Sequence, residues 1–461
     1  MKIKITESST FIEGIFKDAN STKNVTNFSF LKSYANIENL DKRISEVNLL
    51  DKSGQKVNYK KLVDGGFLAE SDFRAWNYKA DLSVPKNVSA MAHVSWVSDE
   101  QGILMPGDLL PEFGEKVSAK IIFDLPQDWR ISSVENRLSE NVFEVSDIEK
   151  AIFYIGKSWR EKEIAVGDVK LNIIISGAWQ VSDEEAIQTA SDIFSFYERL
   201  FGAKSFENAQ IFLGKFPLEV KPGRWEAETR GGSVTVLSSE MNFKTQSFQR
   251  LHEQLRHEIF HLWFPNGVNL SGNYDWFYEG FALYQSLKTA LATNQIRFED
   301  FLDTLGRAFS IDTLQSQRIS LIEASKNRWN GANTQVYARG MLVAFLIDSA
   351  LLQKSKGKNS LPDILREIYQ KHRRPNPQQD GNTAILNILQ SRAELQPIID
   401  KYIKGAENIV WQTDLDKIGI ESATENFATK LKIKAKLNNR QKDLLDKLGY
   451  NNWRKNSESS K

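Results

Sequence analysis

The stretch RHEIFHLWFPN, residues 256–266, holds two of the five histidines of this 461-residue chain. His257 and His261 are four residues apart, so on an α-helix both side chains lie on one face and can bind one ion. Glu258 points about 100° further round the axis, because an α-helix has about 3.6 residues per turn. It can therefore hold a water molecule beside a metal ion without binding the ion. The stretch predicts half of a metal site of the H-E-x-x-H type, and the alternative is a core helix with incidental histidines.

A third ligand is offered by DWFYEGFALY, residues 275–284. A catalytic zinc site uses three protein ligands and keeps a fourth position open. Glu279 lies just inside this second apolar helix, after a loop that contains Pro265, Gly267 and Gly272, so the chain can fold back onto the histidine pair. The chain has no cysteine, so any metal must be bound by histidine and carboxylate. We therefore predict one Zn²⁺ per chain, held by His257, His261 and Glu279.

The other three histidines carry no predicted role. His252 is five residues from His257 and off the ligand face, which favours a surface position. His93 and His372 are isolated in the sequence.

Composition limits the partners and the compartment. Sixty basic and fifty-nine acidic residues leave a net charge of +1, so no nucleic-acid partner is predicted. The apolar stretch GMLVAFLIDSALL, residues 340–352, is short and contains Asp348, so no integral membrane segment is predicted. The first residues lack a signal-peptide core, so we expect a cytoplasmic protein as written, or an exported one if a signal has been removed. Oligomeric state is not indicated.

Turn-forming residues and the periodicity of apolar residues predict a multi-domain α+β fold. Residues 1–165 contain short β-branched runs separated by Gly, Pro, Asn and Asp, which predicts an N-terminal all-β domain, a sandwich or a related fold. Residues 166–410 begin with a helix at Ser182, whose spacing to Glu185 is that of a capping box, and become mainly helical after residue 246. Residues 411–461 form a C-terminal extension, with a possible terminal helix and the disordered tail KNSESSK.

The segment HEIFHLWFPNGVNLSGNYDWFYEGFALY resembles the gluzincin metallopeptidases, specifically the aminopeptidase N and leukotriene A4 hydrolase group and the related glycyl aminopeptidases. Seventeen residues separate His261 from Glu279, one fewer than is usual in the aminopeptidase N group. The resemblance implies a β-rich domain followed by a thermolysin-like, mainly α-helical catalytic domain. It is strong over about 255–285 and fair over 333–372, where VYARGMLVAFLIDSALL is similar to a glycyl aminopeptidase pattern.

The downstream match implies a second catalytic residue. By resemblance, the Tyr337 hydroxyl would stabilise the oxyanion of the tetrahedral intermediate, and the alternative is a tyrosine that only packs at a helix start. Arg339 matches the family pattern only in charge, and no catalytic role is predicted for it.

The family's amine-binding segment is only partly matched. In aminopeptidases of this group a glutamate before the H-E-x-x-H helix captures the free amine of the substrate. Here GRWEAETRGGSVTVL, residues 223–237, offers Glu226 and Glu228 near the required distance, whereas an alignment on Ser233 puts Thr229 there. The two glutamates are therefore candidate substrate-binding residues, and solvated loop carboxylates are the alternative.

These features predict a zinc-dependent metallopeptidase, with a zinc-activated water and Glu258 as general base. An aminopeptidase is favoured over an endopeptidase of the same fold, and the partner is a peptide or protein substrate. The alternatives are a non-catalytic peptide-binding relative and an enzyme that hydrolyses a non-peptide bond such as an epoxide. Intact ligands, base and tyrosine argue against a non-catalytic relative.

Overall fold

The computed structural model describes residues 1–5, 10–16, 26–62, 66–112 and 118–451. The chain forms two compact units. Unit 1 comprises Met1–Asp183 and Glu207–Ser247, and unit 2 comprises Glu184–Phe206 and Phe248–Lys461. The domain bounds at residues 165 and 410 stay predictions, and the tail KNSESSK lies outside the described residues.

Unit 1 is built from β-strands. They are β1 (Lys2–Ile5), β2 (Thr10–Ile15), β3 (Asn27–Phe28), β4 (Ile44–Leu50), β5 (Lys56–Val57), β6 (Tyr59–Lys61), β7 (Phe67–Ala69), β8 (Ala75–Ala80), β9 (Trp96–Val97), β10 (Gln101–Leu104), β11 (Ala119–Asp124), β12 (Arg130–Ser132), β13 (Asn136–Ser139), β14 (Val142–Val145), β15 (Phe153–Gly156), β16 (Trp159–Val166), β17 (Val169–Ser176), β18 (Asn208–Gly214), β19 (Trp225–Arg230) and β20 (Ser233–Ser238). Its helical elements are α1 (Pro106–Leu109) and two 3-10 turns, Leu40–Arg43 and Val88–Ala90.

These strands form four sheets within the described ranges. The largest has the order β13-β14-β11-β1-β2-β8-β4-β5, and smaller sheets have the orders β12-β15-β10-β9 and β3-β7-β6. The fourth has the order β16-β17-β18-β20-β19, in which β19 is an edge strand that pairs antiparallel with β20. In β8 the side chains alternate, so Trp76, Tyr78 and Ala80 are buried, as expected for a strand with one face on the core. One hydrophobic core joins residues of the three sheets nearest the N-terminus.

Unit 2 is mainly helical. Its α-helices are α2 (Asp183–Phe201), α3 (Lys244–Phe260), α4 (Asp275–Tyr278), α5 (Gly280–Ala292), α6 (Phe298–Thr313), α7 (Leu321–Lys326), α8 (Gly340–Ser355), α9 (Leu361–His372), α10 (Gly381–Gln390), α11 (Gln396–Ile398), α12 (Gln412–Lys417) and α13 (Asn439–Leu448). Two π-helical turns, Gln335–Arg339 and Ile399–Lys404, and two 3-10 turns, Arg328–Asn330 and Ala393–Leu395, lie between them. Two short ladders complete the unit, β21 (Leu270–Ser271) with β22 (Gln379–Asp380), and β23 (Ile420–Glu425) with β24 (Ala428–Ile433). The predicted fold class, a β-rich N-terminal part and a helical C-terminal part, is confirmed.

The apolar helix of unit 2 is a core helix. The segment Gln335–Ser355 has the length and hydropathy of a membrane span, but 89% of its most apolar window is buried inside the protein. Asp348 within it accepts hydrogen bonds from the Tyr284 hydroxyl at 2.6 Å and from the Leu361 N–H at 2.8 Å. A buried carboxylate held by two donors is typical of a protein core.

The C-terminal extension packs within unit 2. Trp411 is fully buried and stacks on Phe309, with ring centroids 4.2 Å apart. The backbone N–H of Thr429 in β24 donates to the Ser310 hydroxyl of α6 at 2.8 Å. The predicted terminal helix is α13, which begins with a capping box at Asn438.

Candidate metal centre

Helix α3 carries His257, the tight turn after it carries His261, and this segment is anchored to α2 and the residues that follow α2. The Tyr197 hydroxyl of α2 donates to the carbonyl of Arg256 at 2.6 Å, next to the first predicted ligand. The Trp263 indole donates to the carbonyl of Ala203 at 2.9 Å. The α-helix ends at Phe260, because the next turn tightens and the His261 N–H donates to the carbonyl of Glu258 at 3.0 Å. Hydrogen bonds at Arg256 and at Trp263 therefore hold the segment on both sides of the histidine pair.

Glu279 lies at a break between two helices. The sequence places it just inside one helix, but α4 ends at Tyr278 and α5 begins at Gly280. Glu279 keeps helical dihedral angles, φ −88° and ψ −52°, so the direction of the chain is nearly preserved across the break. Its side chain is 7% exposed and faces the histidines.

The three predicted ligands lie together. Glu279 Oε2 is 3.2 Å from His257 Nε2 and 3.4 Å from His261 Nε2, and the two Nε2 atoms are 3.0 Å apart. Zinc bound at 2.0–2.1 Å in tetrahedral geometry separates its ligand atoms by about 3.3 Å. The buried His257, His261 and Glu279 therefore form a cluster that can hold a metal ion, and its donor set and spacing fit zinc.

Hydrogen bonds and charges orient this cluster. His261 Nδ1 lies 2.8 Å from the carbonyl oxygen of Phe264, which can only accept, so Nδ1 carries a hydrogen, and in the neutral ring Nε2 is the atom left to bind a metal ion. Burial alone would lower the pKa of His261, but the carboxylates of Glu279 and Glu258 raise it to about 9 when no metal is present. Burial alone would raise the pKa of Glu279, but Arg328 and the histidines hold it well below its ordinary value. Glu279 is therefore an anion at neutral pH.

Tyr337 lies beside the cluster on a π-helical turn. The turn, Gln335–Arg339, directly precedes α8, and such local widening of a helix is frequent at functional sites. The Tyr337 ring centroid is 6.4 Å from that of His257. Burial, and then the negative charge of Glu279, raise the pKa of Tyr337 well above its ordinary value. The phenol therefore keeps its proton and can donate a hydrogen bond.

Glu258 is buried near the same atoms. It is 5% exposed, and its negative charge acts on both His261 and Tyr337. Carboxylates are among the side chains that act as general bases, so Glu258 fits that role by residue type.

Two glycines set the approach of the helices that carry Glu279 and Tyr337. Gly280 begins α5, Gly340 begins α8, and their backbones are in contact. A β-carbon at either position would come within 3.0 Å of the other glycine. Only glycine permits this approach.

Arg328 is the neighbour of the cluster that the sequence did not reveal. Its Nη1 lies 2.9 Å from Glu279 Oε1 and 3.0 Å from Asp275 Oδ1, and its Nη2 donates to the Tyr337 hydroxyl at 2.6 Å. It comes from the 3-10 turn after α7, in KNRWNG, a polar segment with no motif. Arg328 is identified as a neighbour of the cluster by its contacts and not by any sequence motif.

The two candidate amine-binding glutamates lie on strand β19 of unit 1, not in a loop. Glu228 is held by two partners from its own unit, because its Oε2 is 2.5 Å from His93 Nδ1 and its Oε1 accepts from the Tyr34 hydroxyl at 2.7 Å. Burial alone would raise the pKa of Glu228, but His93 and Arg230 lower it to about 2. His93, for which no role was predicted, is therefore the main partner of Glu228. Glu226 pairs with Arg224.

Three further residues can now be placed. The prediction that His252 lies on the surface is wrong, because the residue is 5% exposed and its ring centroid is 5.1 Å from that of Phe248. His372 is also buried, at the end of α9. Arg339 is fully buried and donates to Asp312 and to the carbonyl of Glu407.

Comparisons with known proteins connect this geometry to a fold. The sequence matches no protein-family model and no curated protein. Solved structures with a similar fold include an aminopeptidase N family protein from Idiomarina loihiensis, with a TM-score of 0.77 and 15% identity, over 92% of this chain and 79% of the other. An M1 zinc metallopeptidase from Deinococcus radiodurans, solved as a mutant bound to a Tyr-Ser-Ala substrate, has a TM-score of 0.54 and 14% identity, over 89% and 93% of the two chains. A two-domain M1 zinc metallopeptidase mutant bound to L-arginine is similar to the same degree, with a TM-score of 0.54 and 14% identity, over 89% and 94%. The resemblance predicted from the motif is therefore confirmed at the level of structure, and the chain has the fold of the aminopeptidase N and M1 zinc metallopeptidases.

Proposed function

We propose that this protein is a zinc-dependent metallopeptidase that binds one zinc ion per chain, and that it acts as an aminopeptidase. The observation that carries the proposal is the buried cluster of His257, His261 and Glu279, with Glu258 and Tyr337 beside it. The fold of zinc peptidases supports it, as does the tripeptide that the Deinococcus enzyme binds.

The roles of the residues follow from their chemistry. Zinc in this cluster would supply Lewis-acid polarisation of the scissile carbonyl and lower the pKa of a water molecule. Glu258 would accept a proton from the attacking water and pass it to the leaving amine. Tyr337, which keeps its proton, would donate a hydrogen bond to the carbonyl oxygen as negative charge develops on it.

The choice of an aminopeptidase depends on a group that binds the free amine of the substrate. Glu226 and Glu228 are the candidates, by resemblance of their segment to the family's amine-binding segment. Glu226 pairs with Arg224, whereas Glu228 is surrounded by His93, Tyr34 and Arg230. Exopeptidase specificity therefore has less support than metallopeptidase chemistry.

The test combines zinc content with hydrolysis. Zinc per chain and turnover of aminoacyl substrates and internally quenched peptides are measured for the wild type and for Glu258→Gln. We expect one zinc in both proteins and turnover only in the wild type, with faster cleavage of the aminoacyl substrates. Faster cleavage of quenched peptides would indicate an endopeptidase. Stoichiometric zinc without hydrolysis of any peptide would favour a non-catalytic peptide-binding protein or an enzyme acting on another bond, and absence of zinc would overturn the proposal.

A further inference from the structure

Arg328 joins the predicted metal ligand to the predicted oxyanion donor. Its side chain is 12% exposed, and one terminal nitrogen, Nη1, lies between Glu279 Oε1 and Asp275 Oδ1 at 2.9 and 3.0 Å. The other terminal nitrogen, Nη2, donates to the Tyr337 hydroxyl at 2.6 Å. One rigid planar group therefore contacts three side chains from two other segments of unit 2.

The contact with Glu279 determines which carboxylate oxygen faces the histidines. Oε1 is held by Arg328, and Oε2 lies 3.2 and 3.4 Å from the two Nε2 atoms of His257 and His261. Rotation of the carboxylate would break the pair with Arg328 in a buried environment, where an unpaired charge is costly. Arg328 therefore fixes the orientation in which Oε2 is available to a metal ion.

The contact with Tyr337 determines where the phenol proton points. A guanidinium has five N–H donors and no acceptor, so in this bond the Tyr337 oxygen must accept. The hydroxyl hydrogen is then left for another acceptor.

Aromatic rings lie close to the guanidinium. Its central carbon is 4.5 Å from the ring centroid of Trp329 and 5.3 Å from that of Tyr337. Trp329 is 45% exposed, whereas the Arg328 side chain is 12% exposed. Stacking on aromatic rings restricts the orientation of the planar guanidinium, whereas a lysine ammonium is a compact charge on a flexible chain.

We propose that Arg328 is a positioning residue of the metal centre, which orients Glu279 Oε2 toward the histidine pair and, by donating to the Tyr337 oxygen, leaves the hydroxyl proton of Tyr337 available for donation. The proposal rests on the proposed function for the role of Tyr337, whereas its effect on Glu279 concerns metal binding alone. Carboxylates that bind a metal ion are commonly hydrogen-bonded to a second residue that does not touch the metal. Loss of that residue typically lowers metal affinity or activity by about 10- to 100-fold.

The experiment measures zinc affinity by chelator competition, and kcat and KM on the best substrate, for the wild type, Arg328→Gln and Arg328→Lys. Arg392→Gln is the matched control, because Arg392 pairs with Glu367 at 2.6 Å elsewhere in unit 2. We expect Arg328→Gln to lower zinc affinity by about 10- to 100-fold. At saturating zinc it should lower kcat by a similar factor of about 10 to 100, with little change in KM. Arg328→Lys keeps the charge but not the planar fork, so we expect it to recover zinc affinity more than kcat. Arg392→Gln should match the wild type in both.

A double-mutant cycle with Tyr337→Phe separates positioning from a general structural effect. If Arg328 acts through Tyr337, Arg328→Gln should lower kcat much less in the Tyr337→Phe background than in the wild type. Wild-type zinc affinity and kcat in Arg328→Gln, fully additive effects in the cycle, or failure of both Arg328 variants to fold would overturn the proposal. If the wild type binds zinc but hydrolyses nothing, the proposed function fails, and the zinc affinities still decide whether Arg328 orients Glu279.

Discussion

Gly280 and Gly340 are in direct backbone contact: a β-carbon added at Gly280 would lie 2.5 Å from the Cα of Gly340. The contact holds the start of α5, directly after Glu279, against the start of α8, three residues after Tyr337. The separation between the predicted ligand and the predicted oxyanion donor is therefore set by two residues that have no side chains.

Gly340→Ala tests this contact. The added methyl group would meet Gly280 Cα at 2.9 Å and the carbonyl oxygen of Trp276 at 2.8 Å, so the helices must separate. We expect the free energy of unfolding to fall by roughly 1–3 kcal/mol, the usual cost of overpacking, and kcat to fall as well. Denaturant unfolding and steady-state kinetics measure the two effects. Gly280→Ala should act on the same contact, so the double variant should be less than additive, and a Gly340→Ala protein of wild-type stability and activity would contradict the assignment.

Tyr337→Phe tests the oxyanion donor. Loss of one such donor typically lowers kcat by about 10²- to 10³-fold, and neither KM nor zinc content should change, since the phenol does not belong to the ligand cluster. Tyr284→Phe is the matched control, because that hydroxyl bonds Asp348 and touches no predicted site residue. It should lose stability and keep kcat. Equal kcat in Tyr337→Phe and the wild type would remove Tyr337 from the mechanism.

Metal removal should lower stability. An ion that binds only the folded state stabilises it by about 2.7 kcal/mol at a free concentration of 100 times Kd, so treatment with a chelator should lower Tm and re-addition of zinc should restore it. His257→Ala should remove both the bound zinc and the response of Tm to zinc. His372→Ala is the control, since that histidine is buried but lies outside the cluster. A response of Tm to zinc that persists in His257→Ala would place the metal elsewhere.

Stability should depend on pH through His252. Burial, and then the positive charge of Arg256, lower its pKa to about 4 in the folded state, against about 6.5 in the unfolded chain. Between about pH 4 and pH 6.5 the unfolded state binds more protons than the folded state. The stability that depends on neutral His252 is therefore fully present above about pH 6.5 and is lost as the pH falls toward 4. We expect the free energy of unfolding to decrease less between pH 7 and pH 5 in His252→Leu than in the wild type, by denaturant titration at both pH values. The same decrease in both proteins would show that His252 titrates normally in the fold.

Glu228 and Glu226 should respond differently to substitution. Glu228→Gln leaves His93 and Arg230 without their buried anion, and breaking such a pair typically costs about 3–5 kcal/mol. Glu226→Gln loses one ion pair at a partly exposed arginine, worth about 1 kcal/mol or less. Denaturant unfolding compares the two variants. If either glutamate binds the substrate amine, its variant should also raise KM for aminoacyl substrates and leave cleavage of internally quenched peptides unchanged.

The clustering of His257, His261 and Glu279 and the fold class were predictable because their signals are local. Spacing of four residues places two histidines on one helix face whatever surrounds the helix, and short β-branched runs or a capping box depend on neighbouring residues only. The same reasoning failed at Glu279, which lies at a helix break, and at His252, which is buried. Burial depends on which other helix packs against a face, and periodicity within one helix does not specify that.

The sequence by itself determined the residue types of the metal cluster and the order of β-rich and helical segments. Only the tertiary structure decided that Arg328 holds Asp275 and Glu279, and that His93 holds Glu228. Arg328 is 53 residues from Asp275, and His93 is 135 residues from Glu228. Contacts at such separations depend on how whole helices and strands pack, and a buried charge finds its partner through that packing and not through any local pattern.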